Sequence, residues 1–486
     1  MTVVPTRLPR SNPLEQQVDP RAVLAFLDAV EGQPDVEPHS LMIVRHGHVV
    51  AEGWWAPYSE DCRQLLYSLS KSFTSTAAAF AVAEGLIDPD DTLLSHFPEL
   101  DAEVTDPRSR AITLRHCLSM ASGHTRDMLD EAAAVDLEEP VRGFLLLPPE
   151  QEPGSVFAYS QPCTYAVASV IQRNAGVPLT EYLRPRLFDP LGIGDVGWQS
   201  WTAGREQGFT GLHARTEDIA KLGLLYLDGG RFNDAQLLSP DWVAEATRKH
   251  VDNSERPDPD WAQGYGYQFW MARHGYRGDG AFGQFCVVLP EHDTVVVTTA
   301  LTEQMQLVLD AMWEHLLPGL GGGTGGTRPQ EDTGTQAELC NRLRSLRLPT
   351  AARRSAPADP ADGAASFRVV DPGQSADSSS ALVAVAVAPH GNGWEITLSE
   401  PDNAVTLPLG TGDWAVSSPE DRHGARIPVA AAGGWADDGT LRADVVFLET
   451  PHHLELTCSL ADRTARATWR HAAPLGSDRL EHLHCP

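Results

Sequence analysis

Lysine is nearly missing from this chain. Of 37 basic residues only three are lysines (Lys71, Lys221 and Lys249), set against 66 acidic residues. The formal net charge is −29. So acidic a chain repels phosphate backbones and anionic lipid, which sets aside nucleic-acid and membrane-surface roles. Long apolar runs are absent too. No stretch reaches the roughly 18 consecutive apolar residues of a membrane-spanning helix. The opening MTVVPTRLPRSNPLEQQ has no apolar core of the kind a secretory signal carries, so none is expected. The seven cysteines are scattered, odd in number and form no C-x-x-C pair. Reduced thiols in a cytoplasmic protein are the expectation.

What is present is ample for folding. The 486 residues are 42% hydrophobic and 21% charged, a globular composition too long for one core. After Asp19, PRAVLAFLDAVEG carries a cap, a proline in the first turn and a closing glycine, which predicts a helix. SLMIVRHGHVVAEGWW reads as a hairpin. A long helix is expected from about Leu65 to Glu84, and another over ITLRHCLSMASG, ending in Gly123. CTYAVASVIQRNAG and EDIAKLGLLYLDGG show helical periodicity, each with a terminal glycine. AFGQFCVVLP and DTVVVTTALT read as strands and MQLVLDAMWEHLLPGL as a closing helix. Together these predict an α/β (α+β) sheet packed with helices, plus a helical insert. A Gly/Thr-rich run and an Ala/Pro-rich run then break the pattern, and from Phe367 short strand-like runs alternate with turns. The expected organisation is a first domain over 1–319, a linker over 320–366, and an all-β barrel or sandwich over 367–486.

One lysine stands in the stretch YSLSKSFTS, Tyr67 to Ser75. Ser68 and Lys71 form an S-x-x-K motif at the start of a predicted helix, and their i, i+3 spacing places them on one face. A serine hydroxyl needs a base to become a nucleophile. Lysine is able to lose its proton and arginine is not, which explains the choice at this position in a chain that otherwise writes its cations as arginine. With an ordinary pKa of ~10.4 a lysine is neutral about once in 2,500 molecules at pH 7. Lowering it to ~7 takes about 4.6 kcal/mol of desolvation and charge effects, so a site has to be built for it. The plain alternative is a surface lysine among helix-capping serines. The apolar run TAAAFAVAEGL that follows favours a buried helix instead.

From YSLSKSFTSTAAAFAVAEGLIDPDDTLLSHFPEL onward the chain resembles the serine β-lactamase-like hydrolases, the group of class C β-lactamases, penicillin-binding DD-peptidases, esterases and D-amino-acid amidases. AITLRHCLSMASGH, EPGSVFAYSQPCTYAVASVI and GLHARTEDIAKLGLLYLDGG resemble later family segments in the family's order, and the likeness covers about residues 20 to 318. The resemblance implies an antiparallel sheet with a helical subdomain and a site between them. It makes Ser68 the nucleophile, Lys71 the proton acceptor and Tyr159 a proton relay. Gln161 stands where the family usually has asparagine, and its longer amide leaves substrate orientation open. In YRGDGAFGQFCVVLP, Asp279-Gly280 falls where the family usually has Lys-Thr-Gly or His-x-Gly. Asp279 would repel a substrate carboxylate and suit a neutral or amine-bearing substrate, unless Arg277 turns in. The Ala281 N–H is the expected second oxyanion donor, beside that of Ser68.

Other candidates have plain readings beside functional ones. Trp54, Trp55 and Tyr58 either wall the pocket or pack in the core. The terminal EHLHCP reads as a frayed tail rather than a metal site, and His452-His453 has no evident partner. The expected protein is a serine hydrolase forming an acyl-enzyme from a small ester, amide or short peptide, with no cofactor. A biosynthetic transacylase or thioesterase passing the acyl group to an amine is one alternative. A catalytically degenerate binding protein is the other.

Overall fold

The computed structural model describes residues 6–201, 204–321, 333–350, 363–370, 380–391, 393–436 and 438–486. Most of the Gly/Thr-rich and Ala/Pro-rich runs lies outside them.

Helix α1 (Pro20–Glu31) starts where the sequence predicts, with Asp19 accepting the Arg21 N–H at 2.9 Å and Gly32 closing it. The hairpin that follows, β1 (Glu37–Arg45) and β2 (His48–Trp54), turns through His46 and Gly47, both at positive φ. Four later strands complete one sheet: β3 (Trp270–Met271), β4 (Tyr276–Gly280), β5 (Gln284–Leu289) and β6 (Thr294–Leu301). The order is β2-β1-β6-β5-β4-β3, antiparallel throughout. Strands β1, β5 and β6 are buried along their whole length. Side chains alternate between the two faces of a strand, so both faces of this sheet are covered.

Helix α2 (Ser70–Ala83) meets the sheet at β4, α3 (Gln161–Ala175) packs on α2, α4 (Thr216–Leu227) covers β1, β5 and β6, and α5 (Met305–Ala311) packs on α1. Helix α4 lies on β5 and β6, with Gly223 against Val295 and Cys286 where a Cβ would clash. Helix α2 is the central one, buried from Ser70 to Ala81. It starts five residues later than the sequence predicts. Gln64–Leu65 is a short strand paired with Leu212–Ala214, and Tyr67 turns the chain at φ 47 before a 3-10 turn leads into the helix. The helix over ITLRHCLSMASG is short as well, Leu114–Leu118, and Met120 at φ 58 lies just past its end. A further helix, α6 (Thr333–Arg344), packs on α1 and β2.

The C-terminal strands form a second sheet. They are β7 (Ala365–Val369), β8 (Ala384–His390), β9 (Gly393–Ser399), β10 (Ala404–Leu409), β11 (Ala415–Ser417), β12 (Val429–Trp435), β13 (Thr440–Phe447), β14 (His453–Ser459) and β15 (Thr464–Trp469). The order is β10-β9-β8-β7-β15-β14-β13-β12-β11. A bridge between Gly410 and Ala432 ties one end of the sheet back to the other, giving a nearly closed barrel. Alternate residues of β10 are buried and exposed, as one face turned to a barrel interior requires.

The barrel does not hang free. The turn between β13 and β14 docks on the run that leads to Ser68. Leu65 N–H reaches Glu449 O at 2.9 Å, the Gln64 amide reaches Leu448 O at 2.6 Å, and Arg63 holds the Glu449 carboxylate at 2.7 Å. The terminal segment expected to fray is packed. Leu480 and Leu483 belong to the barrel core, and the Cys485 N–H donates to Glu449 at 2.8 Å. All seven cysteines are free thiols. Among the described residues no helix is long and apolar enough to cross a membrane.

Candidate active site

Ser68 lies in the 3-10 turn ahead of α2, immediately after the left-handed Tyr67. A bulky residue at positive φ is uncommon and stores strain, and such strain gathers where a side chain has to be aimed. Two glycines of β4 allow that turn to approach the sheet. A Cβ on Gly280 would lie 2.0 Å from Leu66 O, and one on Gly278 would lie 2.3 Å from the Leu69 side chain. The strand carrying Asp279 therefore runs directly beside the serine.

Lys71, the second residue of α2, is 1% exposed. Its Nζ stands 3.0 Å from Ser68 Oγ, 2.6 Å from Gln161 Oε1 and 2.8 Å from Phe209 O. Burial lowers its pKa to about 7, against the opposing pull of Asp127 and Asp279. The two other lysines differ. Buried Lys221 lies 3.8 Å from Asp218, and exposed Lys249 is paired with Asp252. Lys71 makes no salt bridge among the described residues. A neutral amine has two N–H groups and one lone pair. The Gln161 and Phe209 oxygens can accept the two hydrogens, leaving the lone pair for the Ser68 hydroxyl.

Gln161 is the first residue of α3, and Asp127 accepts its backbone N–H at 2.9 Å. Its side-chain oxygen accepts from Lys71. Tyr159 precedes the helix by two residues and is half-buried, its ring stacked on Trp270 with centroids 5.3 Å apart. Desolvation raises its pKa, Asp279 and Asp127 add to the rise, and a hydrogen bond with Ser68 opposes it. The phenol therefore stays protonated at neutral pH. Ser68, Lys71, Tyr159, Gln161 and the Asp279–Ala281 end of β4 meet in one place.

Asp279 does not face the cavity as a bare carboxylate. Arg277, fully buried, reaches across with its Nε 2.9 Å from Asp279 Oδ2 and its guanidinium over the Trp261 ring at 4.4 Å. Burial pushes the Asp279 pKa up and Arg277 restrains it. Ala281 follows the strand, its carbonyl held by the Gln284 amide at 3.1 Å.

Ser68 and Ala281 border two cavities. One, of about 290 Å³, is lined by Tyr159, Trp261, Trp270 and Asp279. The other, of about 650 Å³, has Gln161, Trp201 and Phe209 on one side and Thr450, His452 and the 474–486 segment of the barrel on the other. His452 has a partner after all. It accepts the Tyr67 hydroxyl at Nε2 and donates from Nδ1 to Ala472 O at 3.4 Å. Its pKa is lowered to about 3 by burial, so the ring is neutral, consistent with those roles. His453 lies 2.8 Å from Glu37 and 3.3 Å from Asp444. Trp55 and Tyr58 are core residues and border neither cavity. Asp127, Trp270 and the Phe209 carbonyl have no signal in the sequence, and the partner of His452 has none, because each reaches the site from a distant segment.

The beta-lactamase family model matches residues 28–316, more than half of the chain. The chain belongs to the beta-lactamase family. A 6-aminohexanoate-dimer hydrolase of Paenarthrobacter ureafaciens is 26% identical over 311 residues, covering 57% of this chain and 78% of its own. A lovastatin esterase of Penicillium rubens is 31% identical over 201 residues, 36% of this chain and 49% of that one. The first part of the fold matches a Bacillus anthracis structure, named as a candidate 6-aminohexanoate-dimer hydrolase, at TM-score 0.51 and 19% identity, covering 64% of this chain and 88% of that one. The protein is a serine hydrolase of this family.

Proposed function

We propose that the protein cleaves small esters or amides through an acyl-enzyme on Ser68. The observation that carries this reading is the Lys71 amine, buried, brought to about pKa 7 and 3.0 Å from Ser68 Oγ. At neutral pH about half of the molecules then hold a neutral amine. Lys71 takes the hydroxyl proton as Ser68 Oγ attacks the carbonyl carbon. The N–H groups of Ser68 and Ala281 take the charge that develops on the carbonyl oxygen. The Tyr159 phenol, held protonated, serves as an acid rather than a base: it gives its proton to the leaving oxygen or nitrogen and regains one from Lys71. Water resolves the acyl-enzyme by the same path reversed. Gln161 orients Lys71 through its carbonyl and presents its NH2 to the acyl part.

The names of the relatives, an amide-dimer hydrolase and an esterase, support an ester or amide as substrate. The test is a panel of p-nitrophenyl esters and D- and L-aminoacyl anilides with wild type and Ser68→Ala. Turnover of at least one by the wild type and none by the variant is expected. Equal turnover by both would overturn the reading.

A further inference from the structure

The C-terminal barrel supplies one wall of the larger cavity at Ser68, and a hydrolase of this kind does not need that wall for its chemistry. We infer that this 650 Å³ cavity is the acyl-group site, that it takes an apolar acyl chain of medium length, and that barrel residues 474–486 set the length accepted. The inference rests on the Ser68 hydrolase reading.

Three observations carry it. First, the phenol that protonates the leaving group has to face that group. Tyr159 borders the 290 Å³ cavity and not the larger one, which puts the leaving group in the former and the acyl part in the latter. Second, the larger cavity has the size of a small-molecule site. Trp201, Phe209, Leu129, Leu475 and Leu483 give it an apolar lining, with the Gln161 amide near the serine to meet a polar group close to the carbonyl.

Third, the barrel wall is anchored to both units. The Leu480 N–H is held by Glu400 at 2.9 Å on the barrel side. On the other side Cys485 Sγ fills the space that a side chain at Gly197 would take, 2.5 Å from its Cβ position. Between those anchors and His452, Leu475 stands at the cavity 63% exposed, a large apolar side chain that the fold itself does not cover. An acyl chain running from Ser68 toward the barrel would cover it.

The experiment uses the full chain and p-nitrophenyl esters from acetyl to dodecanoyl, with Leu475→Ser and Ser477→Trp. Each methylene newly buried is worth about fourfold in kcat/KM. The octanoyl-to-acetyl ratio of kcat/KM should fall about tenfold in Leu475→Ser, and Ser477→Trp should move the preferred chain several carbons shorter. The preference among butyrate esters of different alcohols should stay within twofold in both. Melting curves confirm that these surface changes leave the fold intact. If the acyl-length profile is unchanged in both variants, or the alcohol preference shifts instead, the acyl-site inference is wrong while the hydrolase reading stands. Turnover that survives Ser68→Ala would bring down the reading beneath it. Should no ester in the series be turned over, the rate of Ser68 modification by alkyl fluorophosphonates of rising chain length is read for the same two shifts. Their appearance supports the acyl site, and an unchanged length profile in both variants overturns it.

Discussion

Replacing Gln161 by glutamate tests the proton-acceptor role of Lys71: it keeps the oxygen that Lys71 meets and exchanges the NH2 offered to the acyl part for a charged oxygen. The Gln161 side-chain oxygen stands 2.6 Å from Nζ. A carboxylate there adds a full charge at about 3 Å, roughly 5 kcal/mol at an effective dielectric of 20. Position 161 is half-buried, so solvent screening cuts that by about half, leaving about 3 kcal/mol, or roughly two pKa units. The amine then titrates near 9 instead of the wild-type value of about 7. The neutral fraction at pH 7 falls to about one in a hundred. The acid limb of kcat/KM against pH should therefore move up by about two units, with about fiftyfold less activity at pH 7 and recovery above pH 9.

Stability should move the other way. A lysine at about 7 in the fold and ~10.4 unfolded means that the unfolded chain binds more protons between those pH values. Wild-type stability from this group therefore rises with pH across that window. Raising the folded pKa relieves part of that cost, so Gln161→Glu should be no less stable than wild type at pH 7. An acid limb of kcat/KM that stays at its wild-type pH in a folded variant would refute Lys71 as the base.

Lys71→Arg should be nearly as inactive as Lys71→Ala in kcat/KM, because arginine keeps the charge and cannot accept the proton; an arginine variant retaining most activity would make Lys71 an electrostatic partner only. Asp279→Asn leaves the buried Arg277 charge uncompensated, so a loss of about 3 kcal/mol by chemical denaturation is expected. The freed cation should also improve an α-carboxylate ester about tenfold relative to its neutral analogue, and no change in either would mean that the pair does not border the substrate. The His453 pKa, raised to about 9 by Glu37 and Asp444 against burial, gives a stabilisation that is complete below the unfolded value of ~6.5 and lost as pH rises through 9. His453→Gln should flatten that alkaline decline, worth about 3 kcal/mol, and an unchanged pH dependence of melting would remove His453 from the account.

Local signals made much of the fold legible. Asp19-Pro20 and Gly32 mark α1, the apolar runs around His46-Gly47-His48 mark the hairpin, and alternation marks the barrel strands. The S-x-x-K spacing led to Ser68 and Lys71 because both residues lie on one local turn. The late start of α2 was not legible, since Tyr67 carries none of the residue chemistry that favours positive φ. Nor was the Arg277–Asp279 pair. Neighbours at i, i+2 on a strand share a face, yet the sequence does not say which face meets the cavity. The barrel's place at the site rests on contacts such as Tyr67 with His452, separated by 385 residues. Such contacts arise from how two sheets dock, and no periodicity in either segment encodes it.

The central claim is that Ser68, activated by Lys71, carries the acyl group. Peptide mass mapping after a brief exposure to a slowly hydrolysed p-nitrophenyl ester, quenched in acid, tests it most directly. The account predicts one acyl group on the peptide containing Ser68, none in Ser68→Ala, and a strongly slowed appearance in Lys71→Ala. Acylation at Ser70, or undiminished acylation of Ser68→Ala, would contradict it.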